Sequence, residues 1–143
     1  MKPRLSMVVR ASAEAAFRAF LQVTRVPEWL PIVRRVQVLA CDADERPERV
    51  AFRSQVGGQE VGFELCYRYD SVRRRVEWSA PAQSERQFAG SAEFEPLAAG
   101  TCLFHYEIEE AQSAAVPNPA ALPVWTDEAW VAMKAFGEWL ARG

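Results

Sequence analysis

The longest pattern in the sequence is an alternation of apolar and polar residues that runs from Val33 to Glu110. Successive side chains of a β-strand point to opposite faces of a sheet, so each alternating stretch places its apolar residues on one face and its charged residues on the other. This pattern is typical of antiparallel strands with one face in water and the other against a core. The sequence therefore predicts an antiparallel sheet whose apolar face is covered by another layer.

Six strands are predicted within this region, with turn residues such as Gly57-Gly58 between them, and a seventh is predicted from Arg4 to Arg10. Alternation places the rings of these strands on the same, apolar face, where they would converge on one interior. The strand rings selected on this basis are Phe52, Tyr67, Tyr69, Trp78, Phe88, Phe104 and Tyr106.

The layer that covers the sheet is predicted at the end of the chain, where a helical pattern runs from about Val124 to Arg142. A helix of this length spans roughly 27 Å, enough to cross such a sheet. At about 100° per residue, its apolar positions fall within an arc of about 120°. They are Trp125, Ala129, Ala132, Met133, Phe136, Trp139 and Leu140.

Two shorter helical segments are predicted before the sheet. The first follows Ser12, a good N-cap. The second lies between Pro27 and Pro31 and holds Trp29 either as a packed corner or at the rim of an opening. The predicted order is thus strand, helix, short helix, six strands and long helix, an α+β fold in a single domain that spans residues 1–143.

The composition limits the partners of such a domain. The net charge is −2 and the isoelectric point about 5.5, so no broad basic field favours nucleic acid. The three cysteines are scattered and only one histidine is present, so no zinc site, disulfide framework or cofactor is expected. With no signal-like or membrane-spanning stretch, we expect a cytoplasmic protein, either a monomer or a homodimer.

Four segments in this order resemble the START-like superfamily, the helix-grip fold of polyketide cyclase/dehydrase-type proteins and lipid-transfer domains. They are VVRASAEAAF, VPEWLPIVRRVQVL, YRYDSVRRRVEW and FAGSAEFEPLAAGT. The resemblance implies a curved sheet of about seven strands wrapped around the long C-terminal helix, with an apolar cavity between them. PEWLPIVRRVQVL is also similar to the coenzyme-Q-binding and ribosome-associated branch.

Acid–base chemistry has little support on the predicted inner face. His105 alternates with the apolar positions and is expected on the charged face beside carboxylates. The inner face offers phenol hydroxyls, of which Tyr67 and Tyr106 are the candidates for a catalytic role, but it carries no carboxylate or arginine. This favours a carrier over an enzyme.

The leading hypothesis is a protein that binds a small hydrophobic molecule, such as a lipid, polyketide, isoprenoid or aromatic metabolite. Small residues on both covering surfaces, Gly90 and Ala92 on the sheet and Ala129 and Ala132 on the helix, predict room for it. The alternatives are a polyketide cyclase/dehydrase-type enzyme with the same pocket and a ribosome-associated adaptor. The predicted ligand-binding residues are Trp29, Phe52, Tyr67, Tyr69, Trp78, Phe88, Phe104, Tyr106, Trp125, Ala129, Ala132, Met133 and Phe136.

Overall fold

Seven strands form one antiparallel sheet in a computed structural model that describes residues 4–56, 58–81, 87–111 and 121–142. The sheet order is β1-β7-β6-β5-β4-β3-β2. Strands β2 to β7 therefore form a simple meander, and β1 is the edge strand beside β7. The strands are β1 Arg4–Val9, β2 Val33–Cys41, β3 Pro47–Val56, β4 Gln59–Asp70, β5 Arg75–Ser79, β6 Gln87–Pro96 and β7 Cys102–Ala111.

Helices precede and follow the run of strands from β2 to β7. Helix α1 covers Ala13–Phe20 and begins where the Ser12 hydroxyl accepts the backbone N–H of Ala15 at 3.1 Å. A short 3₁₀ turn leads into α2, Val26–Trp29, and the last element is α3, Ala121–Ala141. Helix α3 begins three residues earlier than the sequence pattern predicts, because Pro123 lies in the first turn, where a missing N–H breaks no helical hydrogen bond.

The predicted α+β fold, a curved seven-stranded antiparallel sheet against a long C-terminal helix, is confirmed. Alternation also assigns the faces correctly in the middle of the sheet: Val50, Phe94 and Phe104 are buried, whereas Arg53 and Glu95 are exposed. Among the described residues, no helix is both long enough and apolar enough to cross a membrane.

A cluster of aromatic rings joins α3 to the sheet. The ring of Phe136 on α3 lies 5.5 Å from that of Phe104 and 6.1 Å from that of Phe94, measured between centroids, and all three side chains are fully buried. Phe20 at the end of α1 and Trp29 in α2 contact the same phenylalanine, at 5.3 and 5.2 Å. This end of the interior is therefore filled by the protein's own side chains.

Beside this cluster, a glycine and a tryptophan are in close contact on the inner face. Gly90 on β6 lies directly across from Trp78 on β5, and a Cβ at position 90 would be 2.5 Å from the indole Nε1. We expect Gly90→Ala to displace the indole and lower the free energy of unfolding by about 1–3 kcal/mol, the usual range for overpacking. Chemical denaturation measures the loss, and tryptophan fluorescence reports the displaced ring.

Gly62→Ala is the matched control, since this glycine also lies within a strand. The nearest atom to a Cβ there is Nη1 of Arg53 at 3.8 Å, an ordinary van der Waals distance. We expect a change of no more than about 0.5 kcal/mol. Equal stabilities for the two variants would contradict the position of Trp78 over Gly90.

Candidate functional site

Three aromatic side chains lie side by side on the inner face of the sheet. Tyr67 on β4, Trp78 on β5 and Tyr106 on β7 follow one another across the sheet, with ring centroids 6.3 Å apart for the first pair and 5.6 Å for the second. All three are half-buried, unlike the fully buried rings of Phe94 and Phe104. They therefore form an aromatic wall next to the closed aromatic core.

The hydroxyl groups of Tyr67 and Tyr106 lie in apolar surroundings. Burial raises the pKa of both phenols well above the ordinary value of about 10, and for Tyr67 the neighbouring Tyr69 and Tyr106 raise it further. Both groups consequently stay neutral at physiological pH. A neutral phenol can donate a hydrogen bond to a carbonyl or hydroxyl oxygen and accept one in return.

Tyr69 is held differently from the other two tyrosines. Its hydroxyl donates to the backbone carbonyl of Pro47, and the guanidinium of Arg46 lies over its ring at 4.6 Å from the centroid. Burial again raises the pKa of this phenol, and the nearby Asp42 carboxylate adds to the effect. The hydroxyl of this predicted ligand-binding residue is thus already engaged by the protein.

Trp29 takes the position of a packed corner. It is 9% exposed, and its ring contacts Phe20 and Phe136. The neighbouring Glu28 accepts the indole N–H of Trp139 at 3.3 Å and pairs with Arg25 at 2.9 Å, so the corner is tied to the end of α3. Its second predicted role, at the rim of an opening, stays a prediction.

The remaining predicted ligand-binding residues fall into two groups. Phe52, Phe104, Met133, Phe136 and Ala132 are buried, with Phe52 stacked on Phe63 at 5.2 Å. The side chains of Phe88, Trp125 and Ala129 lie outside the described ones, as do those of the whole first half of α3. The space predicted at Gly90 is filled by the indole of Trp78, because the two residues are direct partners across the strands.

A concave region lies on the charged face of the sheet and encloses about 190 Å³. Short side chains at Ser79, Ala89 and Ser91 leave the depression, and long charged side chains surround it. The charged residues are Arg68, Arg75, Glu77 and Glu107. Alternation alone assigns these positions to the solvent-facing side of the sheet. The depression could not be predicted, because the three short side chains that form it lie on two strands and become neighbours only when the strands pair.

No group of His, Cys, Asp and Glu side chains within the described ranges is arranged to hold a metal ion. His105, the single histidine, lies on the charged face as alternation predicts. Its Nε2 is 3.0 Å from a carboxylate oxygen of Glu95 and its Nδ1 is 2.7 Å from the hydroxyl of Ser6. It is separated from Tyr67 and Tyr106 by the sheet itself.

A seven-stranded antiparallel sheet that holds a C-terminal helix on its apolar face defines a helix-grip, START-like domain. A family model described as polyketide cyclase / dehydrase and lipid transport matches residues 2–140, and the chain belongs to this family. Among curated proteins, none matches the sequence.

Solved structures with the same fold cover nearly the whole chain. A START superfamily protein from Mycobacterium smegmatis has a TM-score of 0.87 at 18% identity, covering 99% of this chain and 97% of that one. The Zhui aromatase/cyclase from Streptomyces sp. R1128 has a TM-score of 0.80 at 15% identity, covering 99% and 94%. The protein TTHA0849 from Thermus thermophilus has a TM-score of 0.79 at 14% identity, covering 99% and 98%. At these identities the similarity concerns the fold.

Proposed function

We propose that the protein binds a small, largely apolar molecule between the sheet and α3, against the wall formed by Tyr67, Trp78 and Tyr106. The observation that supports this most directly is the combination of raised pKa values and partial exposure at the two tyrosines. A half-buried aromatic residue whose phenol is shielded enough to resist ionisation is typical of the wall of an internal ligand site. The family description, which includes lipid transport, agrees with this proposal.

The two hydroxyls and the surrounding rings would have separate tasks. Burial of apolar ligand surface supplies affinity, at about 25 cal/mol per Å². The hydroxyls fix the orientation of the ligand by bonding its polar end, because a ligand oxygen left without a partner in this environment costs free energy. The preferred ligand therefore has an apolar body and one or two oxygen atoms at one end.

The test compares two probes that differ in a single hydroxyl, 2-naphthol and naphthalene. We expect Tyr67→Phe and Tyr106→Phe to weaken 2-naphthol binding about threefold to tenfold, since one hydrogen bond contributes about 0.5–1.5 kcal/mol net. Naphthalene binding should change little, because phenylalanine keeps the ring. Quenching of tryptophan fluorescence measures both affinities.

Tyr69→Phe is the matched control for this comparison. Its hydroxyl is bonded to Pro47, so its removal should affect the two probes equally. The proposal is wrong if neither probe binds the unsubstituted protein, or if 2-naphthol binds all three variants as tightly as it binds the parent. A native mass spectrum of protein purified from cells would identify the natural ligand by the mass that it adds to the protein.

A cyclase or dehydrase activity in the same site is the second candidate, because two neutral phenols within one apolar site can polarise a carbonyl oxygen. The family description and the fold shared with an aromatase/cyclase are consistent with this chemistry. The described inner face supplies no carboxylate or imidazole as a base, so substrate folding would do most of the work. Cyclised product from a poly-β-keto thioester, lost in Tyr106→Phe while 2-naphthol still binds, would establish it.

A further inference from the structure

Three polar side chains on the charged face form a continuous hydrogen-bonded chain. The Ser6 hydroxyl on β1 is 2.7 Å from Nδ1 of His105 on β7, and Nε2 of the same ring is 3.0 Å from Oε2 of Glu95 on β6. An ionised carboxylate only accepts hydrogen bonds, so Nε2 carries the proton of the neutral ring. Nδ1 then has a free lone pair and accepts a hydrogen bond from the hydroxyl of Ser6.

This order of groups is the order of nucleophile, general base and orienting carboxylate. The sheet fixes the geometry, since Ser6 and His105 are direct partners across β1 and β7. The His105 side chain is only 12% exposed and is held at both nitrogens, whereas Ser6 is exposed and within reach of small molecules. The imidazole is therefore oriented in advance toward the serine hydroxyl.

The surface beside Ser6 suits an apolar acyl group. Val8, two residues further along the same face of β1, is 60% exposed and lies opposite Leu103 of β7. On the other side of Ser6, Arg4 provides a half-exposed guanidinium whose Nη1 is 3.9 Å from Glu107. A positive charge on the same face of β1, two residues from the serine, favours the negative oxygen that forms when a hydroxyl attacks an ester.

We propose that Ser6 is a base-activated nucleophile that accepts the acyl group of small, activated, apolar esters. The Oγ atom bonds to the ester carbonyl carbon while Nδ1 of His105 takes the hydroxyl proton. The bond to the leaving oxygen then breaks, and the proton passes from Nδ1 to that oxygen. Water, deprotonated by the same nitrogen, then attacks the carbonyl carbon of the acyl group. The bond to Oγ of Ser6 breaks, Nδ1 returns its proton to Oγ, and the acyl group leaves as a carboxylic acid. This activity is independent of ligand binding on the inner face.

The experiment uses a fluorophosphonate, which forms a P–O bond with activated serines as fluoride leaves, and p-nitrophenyl acetate as the ester. We expect the fluorophosphonate to label Ser6, as shown by peptide mapping of the whole protein. His105→Gln should lower the labelling rate about a hundredfold or more, the usual contribution of a general base. Release of p-nitrophenol should fall in parallel, and Ser6→Ala should remove the acetylated peptide.

Ser12 provides an internal control in every sample. It is exposed, but its hydroxyl accepts the backbone N–H of Ala15 instead of facing a base. The ratio of labelling at Ser6 to labelling at Ser12 therefore corrects for the amount of protein and reagent in each sample, and circular dichroism establishes that each variant is folded. Equal labelling of the two serines, or a ratio that survives His105→Gln, would overturn the proposal and leave the three residues as a cross-strand structural contact.

Discussion

Replacing Phe136 with alanine is expected to remove about 3–5 kcal/mol from the free energy of unfolding, the range for deleting a buried phenylalanine ring. The ring is fully buried and contacts aromatic side chains from four other elements as well as Trp139 of its own helix. The partners outside α3 are Phe20, Trp29, Phe94 and Phe104. Because these partners also pack against one another, little collapse into the space is possible and the cavity cost is added to the lost burial.

The effect should be largest on the attachment of α3 to the sheet, because Phe136 is the ring that links the two. Urea denaturation followed by circular dichroism and by tryptophan fluorescence measures the loss. Phe136→Leu, which keeps most of the volume, should cost clearly less. Val131→Ala is the control on the same helix: this side chain is 64% exposed, and we expect a change within about 0.5 kcal/mol. A loss below about 1 kcal/mol for Phe136→Ala would mean that the ring does not lie in the core.

The fold could be predicted from the sequence because two simple periods decide it. Period-two alternation tells which side of each strand is wet, and a 3.6-residue period in the last segment tells which side of the helix faces the sheet. Phe52, Phe104 and Phe136 were assigned to the interior by these periods alone, and all three are buried. Neither period depends on which strands are neighbours, so residues can be assigned to the interior without knowledge of the strand pairing.

Pairing between strands is what the sequence left open. Alternation predicts that Arg53 faces outward and pairs with Glu64 or another charge on a neighbouring strand. In the structure, Glu64 binds Arg49 at 2.6 Å, because the register places Arg53 opposite Gly62. A shift of two residues along a strand keeps every face assignment and changes every partner.

The candidate sites depend on the same information. The tyrosine wall was partly accessible to sequence reasoning, since Tyr67 and Tyr106 share a face, but the bond from Tyr69 to Pro47 depends on how the strands are placed. The chain from Ser6 to His105 joins residues 99 positions apart, and no local pattern connects them. Sequence reasoning identified the histidine as a neighbour of carboxylates and missed the serine.

At alkaline pH the folded protein is expected to resist ionisation of its tyrosines and then to lose stability steeply. All three tyrosines of the chain have pKa values raised by burial above the ordinary value of about 10. A raised pKa means that the folded state binds the proton more tightly than the unfolded state. The corresponding stability is fully present below about pH 10 and is lost as the pH rises above it, since only the unfolded chain releases the protons.

Each tyrosine that stays protonated in the folded state lowers the free energy of unfolding by about 1.4 kcal/mol at pH 11, or about 4 kcal/mol for the three. That is a large part of the stability of an ordinary domain, so unfolding should follow within about one further pH unit. In a pH titration, phenolate absorbance should therefore rise together with the loss of the circular dichroism signal and not before it. The double variant Tyr67→Phe/Tyr106→Phe should show about one third of the pH dependence. Phenolate absorbance that develops with an ordinary pKa while the fold is intact would place the hydroxyls in water, and the inner face would then lack the apolar surroundings that ligand binding requires.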